Sequence, residues 1–196
     1  MKRFDPEDMK QMAQLLEEGG ILAYPTDTVY GLCVRFDSEE AKDALRSCKN
    51  RPEEKSFPIM VSDLTMMEKV GVMKDEEKRV AQAFMPGPLT LILDRSEVIE
   101  PWMNEGKDTI AVRMASDEYL KQVIEYLGVP VYMTSANRSG APVLETADDI
   151  EKYLQVDGIC IGRPGKGVAS TIARYEDGWK VLREGPLSLE EIERKR

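Results

Sequence analysis

TIAVRMASDEYLKQVIEYLGVPVYMTS, residues 109–135, decides the class of fold, because it holds a strand, a helix and a second strand without interruption. Residues 109–113 read as a strand. Ser116 then caps a helix on which Leu120, Val123, Ile124 and Leu127 recur at helical spacing, Gly128 and Pro130 stop it, and residues 131–134 resume the sheet. The alternation continues outward on both sides. Upstream, Asp5 and Pro6 stand as N-cap and first residue of a helix with Met9, Met12, Ala13 and Leu16 on one face, closed by Gly19 and Gly20 before a strand at 21–24. Ser38 opens a second helix with Glu39 and Glu40 in its first turn and Ala41, Ala44 and Leu45 on one face, running out near Cys48. Residues 57–61 are a short apolar run, Asp63 caps a helix ending near Gly71, and a charged helix covers about 75–84. The turn Met85-Pro86-Gly87-Pro88 forces an extended chain, followed by a strand at 89–93 and a loop marked by Pro101 and Gly106. Downstream, Thr146 opens a helix through Leu154, short strands fall at 158–161, 170–173 and 179–183, and Ser188 starts a terminal helix. Strands alternate with helices early and cluster late, which predicts one α/β domain over residues 1–196, a twisted mixed sheet flanked by helices.

Composition narrows the chemistry. The chain of 196 residues has 27 Lys and Arg against 36 Asp and Glu, a net charge of −9, so attraction to phosphate has to come from a local cluster of cations. Bulk nucleic-acid binding is disfavoured. Zero histidines exclude every Ser-His-Asp triad, Cys-His pair and His-ligated metal site. Cys33, Cys48 and Cys160 are widely spaced with no C-x-x-C, which suits buried, inert thiols in a reducing compartment. The N-terminus lacks an apolar signal region and no window approaches a membrane span, so a cytoplasmic location away from membranes is expected.

Four segments do not read as packing alone. Residues 24–32, YPTDTVYGL, are rich in hydroxyls and either line a polar pocket or form a turn in which Asp27 and the threonines bond their own backbone. Lys49, Arg51 and Lys55, with Arg46 nearby, either wrap a polyphosphate or form a solvated loop offset by Glu53 and Glu54. Residues 134–140, TSANRSG, end a strand where an α/β sheet opens its ligand crevice, or satisfy a local turn. With no histidine to activate them, Ser135 and Asn137 read as binders rather than nucleophiles. Residues 162–167, GRPGKG, match neither a Walker loop nor a G-x-G-x-x-G turn, and read as a flexible loop or lid over an anion, or as a plain surface turn. Asp27, Asp94 and Asp108 are candidate acids, but no catalytic dyad follows from their spacing.

In order along the chain stand YPTDTVYGL, the K-x-R of Lys49 and Arg51, MPGPLTLIL, TIAVR, the S-x-N of Ser135 and Asn137, ASTI and VLREG. Together they resemble the YrdC-like threonylcarbamoyl-AMP synthase family, over about residues 20–185. The resemblance implies a twisted sheet with a large concave cationic cavity in which L-threonine, bicarbonate or CO2, and ATP with Mg2+ give L-threonylcarbamoyladenylate and pyrophosphate. It implies onward transfer by tRNA threonylcarbamoyl-transferase proteins to adenosine next to the anticodon. By motif, Lys49, Arg51, Lys55, Thr109, Ser135, Asn137, Val143 and Arg183 are expected at ATP, and Thr28, Met60, Arg113, Met133 and Ser170 at threonine, Arg113 on its carboxylate. Where some relatives carry a His, this chain has Met60, leaving only a main-chain contact there. No metal ligands are implied, Mg2+ being held by ATP phosphates and water. The chain is expected to stop near the end of the synthase domain, without the additional C-terminal domain of longer relatives. A non-catalytic module for double-stranded RNA or tRNA is the alternative implied by the same fold, and a carbamoyl-transfer relative of hydrogenase-maturation proteins is a third, lacking here the accessory zinc motifs.

Overall fold

The computed structural model describes residues 1–165 and 168–195. In chain order its elements are β1 (Lys2–Phe4), α1 (Met9–Glu17), β2 (Leu22–Pro25), β3 (Tyr30–Arg35), α2 (Glu39–Lys49), β4 (Ile59–Val61), α3 (Leu64–Val70), β5 (Gly71–Val72), α4 (Asp75–Phe84), β6 (Leu89–Arg95), a short 3-10 turn (Pro101–Asn104), β7 (Thr109–Met114), α5 (Glu118–Leu127), β8 (Val131–Ser135), α6 (Ala147–Tyr153), β9 (Gly158–Cys160), β10 (Thr171–Tyr175), β11 (Trp179–Arg183) and α7 (Leu189–Glu193). The strands form one sheet in the order β1-β9-β2-β3-β8-β4-β7-β6-β10-β11, with β5 paired on β6. The sheet is mixed, as expected. β9 runs parallel to β1 and β2, β4 to β7 and β6 to β10, while β2–β3, β3–β8, β4–β8 and β6–β7 are antiparallel.

Period-2 alternation sends each strand's side chains to two different layers. Leu22, Tyr24, Cys33 and Met133 face α1 and α5, which supply Met12, Leu16, Leu120 and Val123. Ala23, Leu32, Val34, Leu91 and Val112 face the opposite layer, filled by Ala41 and Leu45 of α2, Met67 of α3, Val80 of α4, Ile150 of α6 and Ile192 of α7. The cluster built on these two helices draws its strand residues from β1, β9, β2, β3, β8 and β4, ending at Met60. Over β7, β6 and β10 the same face carries Thr109, Ala111, Arg113, Thr90, Ile92 and Ile172, which line a cavity instead of a helix. The uneven number of helices on the two faces is what opens the site.

Local signals account for most helix ends. The side chains of Ser38, Asp63, Thr146 and Ser188 accept from backbone N–H groups three residues on, as N-caps do. Gly128 closes α5 at φ 76°, a left-handed conformation that suits glycine. Two starts differ from the sequence reading. Asp5 and Pro6 do not open α1: Lys2–Phe4 is spent as an edge strand with Phe4 buried, Asp8 folds back to accept from Asp5 N at 3.0 Å, and the helix begins at Met9. Nor is Ser116 the cap of α5; Asp117 is, accepting from Leu120 N at 2.9 Å and from the Tyr24 hydroxyl at 2.5 Å. β1, β3 and β5 were not anticipated. β3 escaped because the polar residues before it dominate the local pattern, although Tyr30, Leu32 and Val34 alternate toward one layer. Cys33 and Cys160 are buried, with burial pushing the Cys160 thiol up to about 12, whereas Cys48 is only half-buried.

Candidate active site

The cavity has a volume of about 530 Å³ and is floored by alternate residues of β7, β6 and β10. Its walls are the tip of the β2–β3 hairpin, the loop after α2, the end of β8 and the start of β10. Four cations line it, Arg51, Lys107, Arg113 and Arg183, together with hydroxyls that include Thr28, Thr90, Thr109, Ser135 and Ser170. Among the described lining residues there is no carboxylate. A chain of net charge −9 has thus concentrated positive charge in one concave place.

At the hairpin tip, both readings of the hydroxyl-rich segment hold together. Thr26 Oγ1 donates to Val29 O at 2.6 Å and accepts from Thr28 N and Val29 N, a local turn network. That turn fixes Thr28, whose Oγ1 accepts from Arg113 Nη1 at 3.2 Å on the cavity wall. Arg113, only 7% exposed, also donates from Nε to Gly87 O at 3.1 Å and from Nη2 to both Asp27 oxygens at 2.5 and 2.6 Å. Burial pulls its guanidinium below the ordinary value, while Asp27 pushes the other way. Arg113 therefore already has one carboxylate beside it, from a residue the motif reading gave no role. Gly165 packs on this tip, its N–H donating to Thr26 O at 2.9 Å, and a Cβ there would sit 1.7 Å from Asp27 O, so only glycine fits. The expected lid at 162–167 is thus anchored up to Gly165; Lys166 and Gly167 lie outside the described residues.

The loop after α2 divides its cations by task. Arg51 faces the cavity, tied by its own loop through Lys55 O at 3.0 Å and Ser56 O at 2.7 Å, with its guanidinium 4.8 Å from the centre of the Phe57 ring. Burial and the Arg46 charge lower its pKa, partly offset by Glu105. Lys49 does not line the cavity. It is 1% exposed, and its Nζ donates to Ser135 O, Asn137 O and Asn137 Oδ1, stapling the turn that follows β8. Burial, helped by the Arg51 charge, pushes its amine down to about 8. Asn137 stands behind the wall with it, accepting from Ser135 Oγ at 2.7 Å and donating to Ala141 O at 2.7 Å. Lys55 is exposed and also outside the lining.

The remaining expected residues do converge. Met60, Thr109, Met133, Ser135, Val143, Ser170 and Arg183 line the same cavity as Thr28, Arg51 and Arg113. Arg183 reaches across to donate to Ser170 O at 2.7 and 3.0 Å and to Ser170 Oγ at 3.0 Å, and Ser170 Oγ also lies 2.8 Å from Thr90 Oγ1. Burial, then the charge of Arg113, lowers the Arg183 pKa. Each of the three arginines is thus disfavoured in its charged form, and an anion in the cavity relieves all three. Sequence reading missed Thr90, Ser56, Asn104 and Lys107. Thr90 had a signal, a lone hydroxyl inside the apolar run LTLIL, whereas Lys107 sits in a loop with nothing to distinguish it. Among the described residues no group of three His, Cys, Asp or Glu side chains is placed to hold a metal ion, and no helix is long and apolar enough to cross a membrane.

A protein-family model described as Telomere recombination (Sua5, YciO, YrdC) matches residues 14–185. Threonylcarbamoyl-AMP synthase of Pyrococcus abyssi is 34% identical over 199 residues, covering 98% of this chain and 58% of that protein. The Bacillus subtilis protein of the same name is 33% identical over 195 residues, covering 96% of this chain and 56% of that one. The solved structure of P. abyssi Sua5 complexed with L-threonine has a TM-score of 0.90 at 33% identity, covering 99% of this chain and 59% of that one. The chain therefore spans a little over half the length of these relatives. The match of the family model over residues 14–185, with relatives 33–34% identical over nearly the whole chain and the same fold, makes this chain a member of the Sua5/YciO/YrdC family.

Proposed function

We propose that the chain condenses L-threonine, CO2 drawn from bicarbonate, and ATP into L-threonylcarbamoyladenylate and pyrophosphate. The observation that carries this reading is a cavity of about 530 Å³ lined, among the described residues, by four cations and no carboxylate, in a fold shared with a relative solved with L-threonine. That volume lies in the usual range for small-molecule sites. The cations meet a highly charged anion, and the hydroxyl-rich wall around Thr28 and Ser170 meets a small polar amino acid.

The chemistry divides into two bond-forming steps. The threonine ammonium loses one proton, the free amine attacks the carbon of CO2, and the nitrogen loses a second proton to leave a carbamate; one of the two protons is taken up as bicarbonate dehydrates to CO2 and water, and the other leaves to solvent. One carbamate oxygen then attacks the α-phosphorus of ATP in line, and the bond from that phosphorus to the β-phosphate oxygen breaks, releasing pyrophosphate. Neither step requires a histidine. Arg113 and the Thr28 hydroxyl take the threonine carboxylate, with Met60, Met133 and Ser170 around the side chain. Arg51 and Arg183 neutralise phosphate oxygens as charge shifts in the transition state, Thr109, Ser135 and Val143 position the nucleotide, and Lys49 and Asn137 hold the Ser135 turn from behind. Mg2+ arrives with ATP as part of the substrate, which suits a lining that, among the described residues, offers hydroxyls and an amide but no carboxylate. The product is then handed to the proteins that modify tRNA.

Pyrophosphate release from purified protein tests the reading. With ATP and Mg2+, release is expected only when threonine and bicarbonate are both present; release that ignores omission of either one overturns it.

A further inference from the structure

Six cations surround the loop that follows α2, and their partners separate them. Lys42 and Arg46 share Glu105 Oε1, each at 2.6 Å, so both are already ion-paired, two cations on one carboxylate. Lys49 is committed to the carbonyls behind the Ser135 turn, and Lys55 is exposed outside the cavity lining. Arg51 and Lys107 remain, both on the cavity wall, and among the described residues neither makes an ion pair with a carboxylate. Lys107 Nζ is instead 3.1 Å from the main-chain carbonyl of Glu54, a neutral acceptor within the Arg51 loop.

Its position is built rather than incidental. Glu105 and Gly106 are consecutive left-handed residues at φ 58° and 68°, which reverse the chain after the 3-10 turn and bring Lys107 against the loop. Asn104, 3% exposed, fixes that reversal by donating from Nδ2 to Lys107 O at 2.5 Å and Thr109 O at 3.2 Å, while Ser56 Oγ donates to Asn104 O at 3.3 Å. The turn thereby joins the backbone beneath Thr109 to the loop carrying Arg51.

We propose that Lys107 is the second phosphate-binding cation of the cavity, acting beside Arg51 in the part that motif position alone assigns to Lys49 and Lys55. This rests on the reading of the cavity as an ATP site. Lys107 contributes a mobile point charge next to a planar fork, a combination that follows phosphate oxygens as they move between substrate and pyrophosphate.

Calorimetric titration of the whole chain with Mg-ATP, tripolyphosphate and L-threonine separates the outcomes. Lys107→Met is expected to weaken ATP and tripolyphosphate roughly 10- to 100-fold, to leave threonine affinity within about twofold, and to be restored to within a few-fold by Lys107→Arg. Lys107 is exposed, so unchanged thermal unfolding of both variants accompanies this result. If wild type binds both phosphates and Lys107→Met binds them equally well, the assignment of Lys107 falls and the reading of the cavity stands. If wild type binds neither phosphate, both fall together.

Discussion

Lys49 shows how a single residue type at a motif position can serve the site without touching its contents. Its ammonium is withdrawn from water by the same packing that lets it reach Ser135 O and both oxygens of Asn137, so it trades solvation for three acceptors. The native state releases this proton near pH 8, while the unfolded chain keeps it up to the ordinary lysine value near 10.4. Between those values the unfolded state binds more protons, so stability contributed by this group rises with pH; below about 8 both states are protonated and the full desolvation cost remains. Urea unfolding of wild type and Lys49→Met from pH 7 to 10 checks the sign. The stability difference should move in favour of wild type by about 1.4 kcal/mol for each pH unit above 8, and parallel profiles defeat the assignment. The Asp27–Arg113 pair teaches the converse lesson. Arg113 is where the motif indicates, yet its geometry is set by three neighbours, Gly87 O, Thr28 Oγ1 and Asp27, drawn from two distant segments.

Elements were legible in the sequence where one short-range signal decided them. α2 and β11 lie within a residue or so of their expected limits because a cap or a turn marks each end. Elements decided by a distant partner were not. β1 is three residues long and exists through its parallel pairing with β9, and the start of α5 shifts by one residue because Asp117 answers two donors, one of them on β2. This makes a clean contrast between adjacent residues. Asp117→Ala removes the acceptor of Leu120 N and of the Tyr24 hydroxyl, which is 2% exposed at its residue and left without that partner, at a cost of about 1–3 kcal/mol. Ser116→Ala should cost less than about 0.5 kcal/mol. Equal losses in denaturant unfolding would restore Ser116 as the cap. The site divides along the same line: Thr28, Arg113, Ser135 and Arg183 were found from ordered motifs, while Asn104 and Lys107 depend on a chain reversal that brings a turn against a loop about fifty residues earlier.

Across the whole molecule, charge is sorted by place rather than by amount. Outside the cavity, several cations are matched to acids: Arg3 to Asp148 and Glu151, Arg35 to Asp37, Lys78 to Glu68 and Arg174 to Asp94. Inside it, Arg51, Lys107 and Arg183 have no carboxylate partner among the described residues, and only Arg113 has one. A phosphate backbone needs cations displayed along an accessible surface, and affinity then falls steeply with salt because releasing condensed counterions gains less as the bulk concentration rises. Here the unpaired cations converge on a volume of about 530 Å³, the size of a small-molecule site, in a chain of net charge −9. A short RNA duplex is therefore expected to show no saturable binding tighter than about 10 μM at 150 mM salt, at the weak end of non-specific association, while ATP binds under the same conditions. Fluorescence anisotropy of a labelled duplex across a salt series makes the measurement. Tight duplex binding with a steep salt slope, unaffected by saturating ATP, would mean that a second cationic surface exists outside the cavity and that the RNA-binding alternative has to be added to the synthase reading.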